Sequence, residues 1–104
     1  MIEAAIYKAL GDPIRLEIVK RLSATASSTV GELSSNLGVS RQGARKQIQV
    51  LVNAKVVQLS QSGRQTHVTL DTKTLQFARS FISKLERQWD DRLRALKSFV
   101  EDAD

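Results

Sequence analysis

The chain has 104 residues, no cysteine and a formal charge of +5. That sets an expectation of one compact domain spanning residues 1–104 and excludes a disulfide framework, a thiolate metal site and a cysteine nucleophile. The charge is concentrated: residues 33–70 contain no Asp or Glu, and Arg41, Arg45, Lys46, Lys55 and Arg64 within them account for the whole net charge, a block that points to a polyanionic partner.

Apolar residues make up 41% of the chain, enough for a small core, though a domain this size often gains stability from a partner subunit. The start, MIEAAIYKAL, lacks the positive and long apolar regions of a signal peptide. No apolar run approaches the roughly 18–20 residues of a membrane span. The expectation is a cytoplasmic protein with no membrane contact.

Ile2, Ile6 and Leu10 recur at helical spacing and predict a first helix that ends at Gly11. Asp12 then caps a second helix with Pro13 at its first position. Ile14, Ile18 and Leu22 line one face of it. Residues 23–28, SATASS, read as a loop. Thr29 and Glu32 fit a capping box for a short third helix, ELSSNL, stopped by Gly38. Ser40 caps a fourth helix, whose Ala44, Ile48 and Leu51 form a core face. Its Arg41, Arg45 and Gln49, with Gln42 and Lys46 alongside, form a separate face of cations and amides.

After Asn53 the period changes to two. Val57, Leu59 and Gln61, then Thr66, Val68 and Leu70, predict two strands joined at Ser62-Gly63-Arg64-Gln65. Asp71 or Thr72 caps a long last helix. There Leu75, Ile82, Trp89 and Leu96 fall at intervals of seven, Ala78, Leu85 and Phe99 take the second seam position, and Arg92 interrupts it. Only the last acidic residues, EDAD, read as disordered.

A short helix, a turn containing glycine and a second helix with a polar face make a helix-turn-helix, placed at about residues 29–53. The hairpin, about residues 56–70, reads as a wing with Arg64 at its tip and Gln65 beside it. The fold class expected is mainly α with a small β-hairpin. Catalysis finds no motif: the glycines are scattered, and no histidine partners a serine. The residues call for no cofactor and no metal. His67 is the lone histidine and reads as a strand residue.

The segments ALGDPIRLEIVKRL, TVGELSSNLGVSRQGARKQIQVLVNAKVV and SGRQTHVTL together resemble the ArsR/SmtB family of winged helix-turn-helix transcriptional regulators over nearly the whole chain. The resemblance implies a homodimeric repressor on double-stranded DNA. Ser40, Arg41, Gln42, Arg45, Lys46, Gln49, Arg64 and Gln65 would be the DNA-binding residues, Lys46 a phosphate contact among them. It also implies a dimer interface built from the first helix (Ile2, Ile6) and the last, about residues 72–100 (Leu75, Ala78, Ile82, Leu85, Trp89, Leu96). The family's metal sensors carry cysteine pairs or acidic and histidine ligands that this chain lacks, so metal sensing is not carried over. Gly43 stands where the family usually has a larger residue, and Gln47 where it often has histidine. Arg15 matches the arginine of the family's D-P-x-R segment, where local bonding is expected over base reading. The regulated genes, the operator and any small-molecule inducer are not legible. The rival readings are a protein-interaction or dimerisation module and a non-specific architectural DNA-binding protein.

Overall fold

The computed structural model describes residues 2–102. Helix α1 (Ile2–Leu10) buries Ile6 and Ala9. Asp12 caps α2 (Pro13–Ser23), its carboxylate accepting from the backbone N–H groups of Ile14 and Arg15 at 2.9 and 3.1 Å. These bonds satisfy donors that a first helical turn leaves without partners.

Residues 28–29, expected in or beside a loop, form a short strand instead. This β1 (Ser28–Thr29) pairs antiparallel with β3 (Gln65–Leu70), Ser28 opposite Val68 and Thr29 opposite His67. Strand β2 (Val57–Ser62) lies on the other side of β3, so the sheet has three strands in the order β1-β3-β2. Ser62 faces Gln65 across the hairpin. That leaves Gly63 and Arg64 as a two-residue turn, in which Gly63 takes φ +62, a value its missing Cβ permits.

The capping box opens α3 (Val30–Ser34): the Glu32 N–H donates to Thr29 Oγ1 at 3.2 Å, and the Thr29 N–H donates to Glu32 Oε1 at 2.9 Å. The helix ends at Ser34, short of the expected Leu37. The reason lies in another element. The Arg21 guanidinium, on α2, donates to the carbonyls of Leu33, Ser35 and Asn36, and Asn36 turns to φ +56. The turn therefore spans residues 35–40, with Gly38 at φ +83.

Ser40 caps α4 (Arg41–Asn53) by accepting from the Gly43 N–H at 3.0 Å. Ala44, Ile48 and Leu51 are buried, as their spacing implied. Ile48 and Leu51 join Ile18, Leu33, Val56 and Val68 in one core.

Helix α5 (Thr72–Asp102) has 31 residues, about 46 Å at 1.5 Å each. Asp71 caps it, accepting from the Lys73 N–H at 3.0 Å. Glu101 and Asp102, expected in a disordered tail, are its last turn; the remainder of that tail lies outside the described residues. Only the start of α5 joins the core. The Tyr7 hydroxyl donates to the Ala78 carbonyl at 2.6 Å, and the Tyr7 and Phe81 rings sit 6.0 Å apart. From Ile82 onward its large apolar side chains are all exposed. The molecule accordingly measures 71 × 25 × 25 Å.

Candidate nucleic-acid interface

The cations of α4 and of the wing meet at one cleft. Thr29, Val30 and Gly31 form its floor, Arg41 and Arg45 one wall, and Arg64, Gln65 and Thr66 the other, around a volume of about 250 Å³. A second groove of about 350 Å³ adjoins it, lined by Val30, Arg45, Ile48, Gln49, Leu59 and Thr66. Arg45 stands on the wall of both. Gln42 and Lys46 are exposed on α4 but line neither. Leu59, which shares a face of β2 with Val57 by alternation, lies at the second groove and is 45% exposed.

None of Arg41, Arg45, Lys46 or Arg64 forms a salt bridge among the described residues. Four unpaired cations with no carboxylate in residues 33–70 give this face a positive potential that steers and holds anions. The amides differ in state. Gln49 donates to Asn53 Oδ1 at 2.9 Å, so it must leave that bond to reach a partner. Gln42 has no such tie among the described residues. The Ser40 hydroxyl is committed to its cap.

Two glycines shape this face. A Cβ on Gly31 would lie 2.6 Å from a terminal nitrogen of Arg41. The bare Gly31 backbone is thus the seat of the Arg41 guanidinium, a role sequence spacing did not reveal. At Gly43 a Cβ would lie 3.3 Å from both Val39 Cβ and Ser40 Oγ. A larger residue there requires Val39 and Ser40 in the capping turn to give by a few tenths of an ångström.

Arg15 turns away from the face. Its guanidinium donates to the Ala9 carbonyl at 2.7 Å, the Lys8 carbonyl at 3.2 Å and Gln47 Oε1 at 2.8 Å. It ties the end of α1 to α4, the local role expected of it, and Gln47 is its acceptor. Two residues named for the dimer interface lie elsewhere: Ile6 is 0% and Ala78 6% exposed, both packed in the subunit's own core. Leu75 packs partly against that core too. Ile2, Ile82, Leu85, Trp89 and Leu96 lie open. His67 sits in β3 between Thr29 and Ser60, and its buried Nδ1 has no hydrogen-bond partner among the described residues.

Two carboxylates are held below their usual range. Glu32 is lowered first by the Thr29 N–H and then by the Thr29 hydroxyl. Asp71 is lowered first by the Gln58 side-chain amide, which donates to it at 2.9 Å.

A helix-turn-helix domain family matches residues 10–59, from the end of α1 into β2. Among solved structures, an ArsR-like transcriptional regulator from Rhodococcus sp. RHA1 superposes with a TM-score of 0.84 at 26% identity, over 94% of this chain and 92% of that one. This chain has the winged helix-turn-helix fold, similar to that of such ArsR-like regulators. The transcriptional repressor BigR from Xylella fastidiosa is also similar to this chain, with a TM-score of 0.61 and 26% identity over 77% of this chain and 82% of that one. A homodimeric winged helix-turn-helix DNA-binding domain from Mycobacterium bovis shares the fold at 19% identity, with a TM-score of 0.63 over 86% of this chain and 80% of that one. No curated protein matches the sequence. In this winged helix-turn-helix fold α3 and α4 are the helix-turn-helix and β2–β3 is the wing. The fold is shared with transcriptional regulators.

Proposed function

We propose that this chain is a sequence-specific regulator of transcription that binds double-stranded DNA as a homodimer, in the cytoplasm, and represses without sensing a metal. One observation carries the reading: Arg41 and Arg45 of α4 and Arg64 of the wing converge, unpaired, on a single cleft. In a helix-turn-helix the second helix enters the major groove and its N-terminal residues meet base edges. Arginine pairs with guanine at two points, and glutamine pairs likewise with adenine. Arg45 and Gln42 are assigned base reading, Lys46 a phosphate, and Arg64 a phosphate or a narrow minor groove. Gln49 and Gln65 are supporting contacts, and the Ser40 cap sets the angle at which α4 starts.

Repression is the activity named for the Xylella neighbour, and occupancy of a promoter by a dimer supplies it physically. The absence of cysteine and the lone His67 support a regulator that holds no metal; among the described residues no three candidate ligands cluster.

The test is fluorescence anisotropy on a duplex from the gene's own upstream region, against a scrambled duplex, across a salt series. The expected result is a preference of at least about a thousandfold for the native duplex. Equal, steeply salt-dependent binding to both duplexes would replace specific regulation with an architectural role. No binding at low salt would replace DNA with a protein partner.

A further inference from the structure

The turn at residues 35–40 sets the angle between α3 and α4, and its backbone is bound from outside the helix-turn-helix. The last carbonyls of a helix need partners that the helix does not supply. In α3 the Gly31 carbonyl accepts from the Ser34 hydroxyl at 2.9 Å, and the Glu32 carbonyl from the Ser35 N–H at 3.3 Å. Beyond these, one side chain takes over. Arg21 donates through Nη1 to the carbonyls of Leu33, at 3.0 Å, and Ser35, and through Nη2 to that of Asn36 at 3.1 Å. Its Nε donates to Glu17 Oε1 at 3.3 Å, one turn back on α2. Four of the five guanidinium N–H groups are thereby committed.

No other side chain among the described residues bonds to the backbone of residues 35–39. The same segment holds two left-handed residues, Asn36 at φ +56 and Gly38 at φ +83, and asparagine enters that region at a cost glycine does not bear. What the turn fixes is the cleft. The floor, Thr29 to Gly31, lies at the start of α3, and Arg41 and Arg45 of α4 form the wall above it. Arg21 itself lines neither groove.

We infer that Arg21 is a positioning residue for sequence reading: without touching DNA, it holds the turn so that α4, and Arg45 on it, meets the bases at one angle. This rests on the reading of α4 as the helix that enters the major groove and adds a determinant of its specificity. A two-point contact between a side chain and a base tolerates misplacement of only about 0.5 Å, whereas a phosphate contact made by charge tolerates more. Three bonds from one planar fork, anchored on α2, restrain the turn far more tightly than one bond. Lysine cannot substitute, because its ammonium is a point charge on a single atom, while the carbonyls here are served by two nitrogens.

Arg21→Lys keeps the charge and removes the fork. Its affinities for the upstream and the scrambled duplex are measured by anisotropy across a salt series, alone and in an Arg45→Ala background, with urea midpoints and near-UV circular dichroism of each chain. The expected result is a preference for the upstream duplex reduced roughly tenfold, the worth of one two-point base contact, with the salt slope unchanged. In the Arg45→Ala background the reduction should shrink, because both substitutions act on one contact. A lowered urea midpoint with the preference intact makes Arg21 a stabilising residue only and overturns the inference, as does a reduction that simply adds to that of Arg45→Ala. Arg21→Gln takes the place of the lysine variant if that chain does not fold; failure of both to fold also overturns it. A parent chain that does not prefer the upstream duplex overturns the reading of α4 and the inference with it, whereas a discriminating parent beside an equally discriminating Arg21→Lys overturns the inference alone.

Discussion

Arg45 and Lys46 are neighbours in sequence with different surroundings. Arg45 stands where the two grooves meet, while Lys46 lines neither. Arg45→Ala is expected to cost about 1–3 kcal/mol on the preferred duplex and to relax its sequence preference. Lys46→Ala should weaken every duplex alike and flatten the salt slope by about one. Anisotropy titrations on two duplexes at several salt concentrations separate the two; identical behaviour of both variants would remove the division between base and phosphate contacts. Gly31 gives a sharper test. Alanine there suits a helix better, by up to about 1 kcal/mol, and the atom it meets is the end of a flexible side chain. Gly31→Ala should therefore leave the melting temperature unchanged or raised, yet weaken DNA binding by displacing the Arg41 guanidinium. Unchanged affinity would mean that the position of Arg41 over Gly31 has no part in binding.

At the scale of elements, what the sequence discloses is what is local. Asp12, Thr29 with Glu32, and Ser40 cap the helices they were expected to cap, because a cap spans only three residues. Strand β1 was not legible: two residues carry no alternation, and their partners Val68 and His67 lie far along the chain. Nor was the early end of α3, since the arginine that holds its last carbonyls is on α2. The cleft was legible in its cations but not in its floor, because only the fold brings Gly31 under Arg41. The capping box also has a pH signature. The pKa of Glu32 is lowered in the fold from 4.5, so its contribution is present above 4.5 and is lost as pH falls through the lowered value. Glu32→Gln keeps an acceptor for the Thr29 N–H without the acid group. Urea midpoints of the parent chain should fall toward those of Glu32→Gln as pH drops below about 4.5. A constant gap between the two chains from pH 6 to pH 3 would remove the carboxylate from the box.

The whole molecule is less compact than its length calls for. Its radius of gyration is 19.2 Å, against about 13 Å for a compact domain of 100 residues. The excess lies in α5, whose face serves two masters: Leu75 and Ala78 belong to the subunit core, while Ile82, Leu85, Trp89 and Leu96 stand open. A single apolar periodicity runs through both sets, so residue spacing does not separate Ala78 from the open residues. An isolated helix of fewer than about 12–15 residues is marginal in water even when built of good helix formers, and a longer one that exposes this much apolar surface gains little from standing alone. If a second copy covers that surface, unfolding separates two chains and stability depends on their concentration. A hundredfold increase in protein then adds about 2.7 kcal/mol per dimer, which should raise the melting temperature by several degrees. Leu85→Glu, placing a charge on the open stripe away from the core, should abolish that dependence and leave the winged domain folded by near-UV circular dichroism. A melting temperature independent of concentration in the parent chain, over the range where sedimentation shows one species, would mean that α5 stands alone and that two half-sites are not bridged by it.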